Sequence, residues 1–220
     1  MTTPCSASVA LFDLDGVLTT GDTMAELITA RLLRQPLRLI VAIPLFLAAL
    51  MARPHGRLRP ALNRGLVLLA LRGLTDHDYS ALAAQFGREL GARPRFRRDR
   101  AVREAAEAAT RMRTVVVTAS EHMLARAYLD AVGLSGCELL ASSRSPGGGR
   151  VRLAQHNIGA AKVAAVRAAG IDPSECSLHT DSSSDLPLAE AVATVTLVNP
   201  SARTIRVIRD RVPQLEIVRW

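Results

Sequence analysis

Two short apolar runs, each ending in polar residues able to do chemistry, stand about 90 residues apart in this 220-residue chain, and that separation constrains the fold more than any other feature. The first, residues 8–14 (Ser-Val-Ala-Leu-Phe-Asp-Leu), stops at Asp15-Gly16, a turn signal. The second, residues 114–118 (Thr-Val-Val-Val-Thr), is β-branched throughout, as strands covered on both faces of a parallel sheet tend to be. Between them the pattern is helical from Thr23 to about Ala109. A crossover between parallel strands needs only about a dozen residues, so a block of this length is most simply an inserted helical domain.

After the second run the alternation continues. Glu121 to Val132 reads as a helix ended by Gly133, Glu138 to Ala141 as a strand, and Gly147-Gly148-Gly149 as the turn of a small hairpin into Arg150-Val151-Arg152. A helix from Ala160 to Ala169, a strand from Ser177 to Thr180, a helix from Leu186 to Val192 and a last clear strand from Ala193 to Val198 follow. Such alternation predicts an α/β fold with a doubly wound, Rossmann-like parallel sheet. Residues 1–20 and 112–220 would form this core, and residues 21–111 an inserted all-helical cap. Within the cap, Asp22 or Thr23 is expected to cap a first helix and Thr75-Asp76 to start another, with Pro36, Pro44, Pro54 and Pro60 breaking the pattern up.

Charge is divided unevenly between these parts. The chain has a net charge of +8, and residues 21–111 alone hold 16 basic and 8 acidic residues, so the remainder is neutral. A basic segment of this kind suits an anionic membrane or an acidic substrate, and is equally a solvated helical surface. Aromatic content of 3% argues against the stacking surfaces that nucleic-acid binding uses. Of the 28 basic residues 27 are Arg; the single Lys is Lys162. In that background an isolated Lys marks a position needing a compact ammonium rather than a planar guanidinium. Cys5, Cys137 and Cys176 fall in no disulfide or zinc spacing. No apolar run reaches the roughly 18 residues of a membrane span. Asp13 and Asp15 follow the start almost at once, without the basic region of a secretory leader. The expected location is cytoplasmic.

In a doubly wound sheet, ligands bind beyond the carboxyl ends of the strands. The polar residues there are Asp13 and Asp15, Thr118 and Ser120, then Asp181 and Asp185, with Lys162 at the start of a helix shortly after Gly159. Asp13, Asp15 and Asp181 offer hard oxygens suited to Mg²⁺, and four gathered carboxylates repel one another without a cation. Lys162 and the Thr118 hydroxyl could clamp phosphoryl oxygens. Asp13 is a candidate nucleophile, and Asp15 a candidate acid to protonate the leaving oxygen and then activate water. Each residue also has a plainer role. Asp13-Leu-Asp-Gly16 is an ordinary turn sequence, and Thr118 with Glu121 fits a capping box. Asp181 and Asp185, with the serines between, could cap the Leu186 helix, and Lys162 could lie on the surface. The plain roles together require four coincidences, all at strand ends and in order.

Phe12-Asp-Leu-Asp-Gly-Val-Leu18 resembles the first motif of the haloacid-dehalogenase-like phosphohydrolases, and Val115-Val-Val-Thr118-Ala-Ser the second. Asn157-Ile-Gly-Ala-Ala-Lys162 is similar to the third. Thr180-Asp-Ser-Ser-Ser-Asp185-Leu-Pro-Leu resembles the fourth, followed by Val198-Asn-Pro200 as in the phosphoserine-phosphatase-like branch. The resemblance implies Asp13 as nucleophile, Asp15 as general acid/base, and Thr118 and Lys162 on the transferring phosphoryl group. Gly16, Ala119 and Ser120 join them around the phosphate. Asp13, the Asp15 backbone carbonyl and Asp181 would hold Mg²⁺, and Asp185 would support Lys162 or a metal-bound water. Val17 departs from the family's usual Thr, removing a hydroxyl from the turn. In this family the cap selects the substrate, so residues 21–111 are expected to hold specificity.

The cap's most unusual stretch runs uncharged for 14 residues, Leu39 to Ala52, flanked by Arg34, Arg38, Arg53, Arg57 and Arg59. It suits either the core of a helical cap or an interfacial segment whose Arg residues meet anionic headgroups. With Leu66–Leu71 it loosely resembles the bacterial phosphatidylglycerophosphatase-type members of the branch. The expected activity is therefore Mg²⁺-dependent hydrolysis of a small-molecule phosphomonoester through an aspartyl-phosphate. The alternatives are a lipid phosphate, met at an anionic membrane through the cap, or transfer to another hydroxyl from the same intermediate. Lys162→Arg should lower turnover despite keeping the charge; a near-wild-type rate of phosphate release would show that the lone lysine has no special role.

Overall fold

A computed structural model describes residues 7–52, 58–144, 153–155, 157–212 and 214–220. The first strand, β1 (Val9–Phe12), is followed by five helices: α1 (Thr23–Leu33), α2 (Pro36–Met51), α3 (Leu58–Leu71), α4 (Asp76–Gly91) and α5 (Asp99–Ala109). Then come β2 (Arg113–Glu121), α6 (His122–Ala131), β3 (Glu138–Arg144), β4 (Leu153–Gln155) and α7 (Ala160–Ala168). β5 (Cys176–Thr180), α8 (Leu186–Ala189), β6 (Thr194–Val198), α9 (Ala202–Arg209) and β7 (Leu215–Val218) complete the chain. The strands form one sheet in the order β4-β3-β2-β1-β5-β6-β7, parallel except for β4. This is the expected doubly wound sheet.

Alternation along the central strands explains why both faces are covered. Ala10 and Phe12 of β1 and Val116 of β2 join the core beneath α5 and α6, while Val9, Leu11, Val115 and Val117 join the opposite core with Val166 of α7 and Leu188 of α8. Phe12 lies opposite Val116 on one side and His179 on the other. The carboxyl ends of β1, β2 and β5 therefore finish at one edge, which sets Asp13, Thr118 and Asp181 near one another.

The cap helices start as their side chains dictate. Asp22 caps α1 by accepting from the Ala25 N–H, and Thr75 caps α4 in a capping box with Asp78. Pro36 opens α2 in its first turn, where no N–H is needed. Pro44 does not break this helix, contrary to the sequence expectation: α2 runs continuously from Pro36 to Met51. The carbonyl that Pro44 leaves without a helical partner belongs to Ile40, an exposed residue where water can take the bond. Pro54 and the expected Gly147–Arg152 hairpin turn lie outside the described residues. Two elements that the pattern did not announce, α9 and β7, extend the sheet beyond β6.

Helices α1, α2 and α3 pack on one another, α5 lies against β1 and β2, and α4 packs on α6. The last contact is unusually close because Gly87 and Gly91 face α6: a Cβ on Gly87 would lie 2.6 Å from the Leu124 carbonyl oxygen. An Arg144 guanidinium bridges the same elements. It pairs with Asp76 (2.9 Å) and with the buried Glu121 (3.1 Å), and sits over the Tyr79 ring. Among the described residues, no helix is long and apolar enough to cross a membrane.

Gly87→Ala sets a helix-propensity gain of about 1 kcal/mol against overpacking onto backbone atoms that cannot swing away, about 1–3 kcal/mol. The expected net effect is a loss of about 0–2 kcal/mol, read as a urea midpoint that is lower or unmoved with unchanged slope; a raised midpoint would contradict the close α4–α6 contact.

Candidate active site

Asp13 follows the last residue of β1, and its backbone N–H donates to the His179 carbonyl, tying it to β5. One carboxylate oxygen accepts from the Leu14 N–H at 2.8 Å; the other lies 3.1 Å from Lys162 Nζ. Lys162, in the first turn of α7, is only 3% exposed, and its ammonium also lies 2.9 Å from Asp185. Asp185 in turn accepts from the Thr180 hydroxyl at 2.8 Å. Lys162 is therefore no surface lysine. Burial pushes its pKa down, but Asp13 and Asp185 more than compensate and hold it above the usual lysine value.

Asp15 is held from two sides. Its carboxylate accepts from the Thr23 N–H (2.8 Å) at the start of α1 and from the Ser120 hydroxyl (2.6 Å), and those two side chains bond to each other at 2.7 Å. Burial raises Asp15 to about 6, with the Asp22 charge adding and the Ser120 and Thr23 hydrogen bonds opposing. A carboxyl in that range can hold a proton near neutral pH and give it up, as acid/base work requires. Ser120 and the Thr23 N–H thus fix the Asp15 carboxyl, and Thr23 is a residue that the sequence pattern had placed only as a helix start.

Gly16 has φ +81°, and a Cβ on it would fall 2.2 Å from an Asp181 carboxylate oxygen. Only glycine lets Asp181 approach this turn. The hydroxyl absent at Val17 has a substitute, since Thr19 Oγ1 accepts from the Gly16 N–H (3.3 Å) and donates to the Gly21 carbonyl (2.6 Å). Arg98, also unanticipated, donates to the Gly16 carbonyl and to the Trp220 carbonyl.

Asp13, Asp15, Gly16, Ala119, Lys162, Asp181 and Asp185 line one cleft of ≈ 340 Å³. Thr20, Gly21, Asp22, Ile158, Ser182 and Ser184 complete its wall. Thr118 is fully buried behind it, its hydroxyl accepting from the Ser120 N–H at 3.0 Å. Thr118 does not cap α6; Glu121 does, its carboxylate accepting from the Met123 and Leu124 N–H groups. Asp185 stands at the N-cap of α8 but spends its carboxylate on Lys162 and Thr180.

The cleft carries an excess of negative charge. Burial raises Asp13 well above the carboxylate range; Lys162 opposes this, and Asp185 and Asp15 add to it. Burial raises Asp181 to about 6, with Asp185 adding. Among the described residues no three His, Cys, Asp or Glu side chains form a metal cluster by themselves, so a cation here would rest on two carboxylates and backbone or solvent oxygen. An all-oxygen, net-negative cleft with Asp181 drawn against the Gly16 turn fits a hard divalent ion that keeps several waters.

A model of the haloacid dehalogenase-like hydrolases matches residues 10–190, and the chain belongs to that family. Among curated proteins none matches the sequence. Solved structures share the fold. A protein of unknown function from Bordetella pertussis Tohama I is 22% identical, with TM-score 0.64 over 94% of this chain and 97% of that one. A phosphoserine phosphohydrolase-like protein from Francisella tularensis subsp. tularensis SCHU S4 is 13% identical, with TM-score 0.62 over 94% of each. A phosphoserine phosphatase carrying an analogue of a phospho-aspartyl intermediate is 11% identical, with TM-score 0.55 over 95% of this chain and 92% of that one.

Gly16→Ala should leave the fold intact and cost about 10²-fold or more in turnover, because Asp181 must leave its place. Unchanged turnover would mean that Asp181 has no part in the reaction.

Proposed function

We propose that this hydrolase is a Mg²⁺-dependent phosphomonoesterase acting through an aspartyl-phosphate. The carrying observation is the buried Lys162 ammonium between Asp13 and Asp185, with Asp15 two residues from Asp13 and raised to about 6. The phospho-aspartyl analogue in the phosphoserine phosphatase of similar fold supports the same chemistry.

One carboxylate oxygen of Asp13 attacks phosphorus, and the bond from phosphorus to the ester oxygen breaks. The Asp15 proton passes to that leaving oxygen, releasing an alcohol. Asp15, now a carboxylate, takes a proton from water as the water oxygen attacks phosphorus. The bond between phosphorus and Asp13 breaks, and inorganic phosphate leaves. Lys162 holds the phosphoryl oxygens, with the backbone at Ala119 beside it and Thr118 directly behind, while Asp185 and Thr180 keep the ammonium in place. Asp13, the Asp15 carbonyl and Asp181 would hold Mg²⁺, which when bound offsets the charge of phosphate and carboxylates. Residues 21–111 act as the cap that selects the alcohol.

Phosphate release from a panel of phosphomonoesters tests this reading. The wild-type protein should release phosphate with Mg²⁺ and cease with a chelator, and Asp13→Asn should lower the rate by roughly three orders of magnitude or more. An Asp13→Asn variant that keeps its rate would sink the mechanism.

A further inference from the structure

A second cavity, ≈ 610 Å³, lies among α1, α2 and α3 and opens into the catalytic cleft; Asp15, Asp22, Ala119 and Ile158 line both. Its walls come from Ile28 and Leu32 of α1, Ala42 and Phe46 of α2, and Leu66 and Val67 of α3. Asp15 and Asp22, at the shared end, are the only charged residues among those lining it. The Arg excess of the cap therefore lies elsewhere, and the cavity is a mainly apolar extension of an anionic cleft.

We infer that this cavity receives the alcohol part of the substrate, and that the substrate is a phosphomonoester whose alcohol carries a long apolar chain. The inference rests on the phosphatase reading above for the position of the phosphoryl group. Asp15 stands where cleft and cavity meet, so an ester oxygen that takes its proton there points its carbon chain into the apolar space. A small polar alcohol would leave these walls facing water, whereas a chain removes them from it. The volume is that of a site burying most of a medium-sized ligand.

Helix α2 also shows how such a chain could arrive. One side of it walls the cavity, and the other turns Leu37, Ile40, Val41, Leu50 and Met51 outward, with Leu37 82% and Met51 87% exposed. A helix uncharged on every side from Leu39 onward but not buried suits contact with an amphiphile. The chain's source is then either a free alkyl phosphate or a lipid in a bilayer.

Calorimetric titration of the full chain with n-alkylphosphonates, ethyl to dodecyl and below their micelle concentrations, reads the cavity without requiring turnover. Affinity should rise about fourfold per methylene over the first several carbons, with a negative heat-capacity change. Phe46→Asp and Thr29→Trp, both at exposed positions lining the cavity, should flatten that dependence while thermal unfolding shows the fold retained. Affinity independent of chain length, or an unaltered dependence in both variants, would overturn the inference. Co-sedimentation with phosphatidylcholine vesicles containing dodecyl phosphate separates the sources: capture there points to a bilayer lipid, and chain-dependent binding only of the free phosphonate to a soluble amphiphile. Phosphate release from alkyl phosphates of matching lengths separates the two readings. Chain-dependent binding without turnover defeats the phosphatase alone, and turnover blind to chain length defeats the cavity assignment alone.

Discussion

Lys162 places one ammonium, almost wholly removed from solvent, against Asp13 and Asp185, and the geometry of the sheet edge depends on that contact. Five carboxylates, Asp13, Asp15, Asp22, Asp181 and Asp185, line a single cleft, and burying even one unpaired charge costs several kcal/mol. With the ammonium between them, Asp13 at the end of β1 and Asp185 at the start of α8 can face each other across the sheet edge. Burial holds Asp13, Asp15 and Asp181 above their ordinary range, and neighbouring carboxylates add to it. Five carboxylates against one ammonium leave the lining net negative, a setting that suits a divalent cation.

Around this contact the protein uses small residues where backbones must approach and buried polar bridges where elements must hold an angle. Gly16 lets Asp181 reach the turn after β1. Gly87 and Gly91 let α4 lie on α6, and Arg144 ties that pair to β3 through Glu121 and Asp76. In contrast, α1, α2 and α3 are joined mainly by apolar packing and leave a cavity between them. Close packing of α4 on α6 and an open space among the first three helices divide the inserted segment into two differently packed parts. Asp15 belongs to both regions: its carboxylate is held by Ser120 from β2 and by the Thr23 N–H of α1. Placement of the cap is thereby coupled to orientation of the proposed acid.

Much of the site was legible in the residues because catalytic groups in this fold follow strand ends, and strand ends are local signals. Asp13 after an apolar run, Thr118 closing a β-branched run and Asp181 after Ser177–Thr180 were all found this way. The lone Lys162 stood out only because 27 other cations are Arg. What local pattern misread was partner choice. Thr118 with Glu121 has capping-box spacing, yet β2 continues to Glu121 and moves the helix start by three residues. Pro44 has a breaker's chemistry, yet the carbonyl it orphans belongs to the exposed Ile40 and the helix continues. Thr23 and Arg98 support the site through contacts made across long sequence separations, which no short window contains.

Sequence by itself determined the doubly wound sheet and the identity of the groups at the sheet edge, because period, turn chemistry and strand-end polarity are properties of consecutive residues. Tertiary structure alone decided that the uncharged stretch of α2 would wall a cavity on one side and meet solvent on the other. It also decided that this cavity would join the catalytic cleft at Asp15. The reason is physical: hydrophobicity has no direction, so an apolar helix carries no record of what it will face until its neighbours have packed.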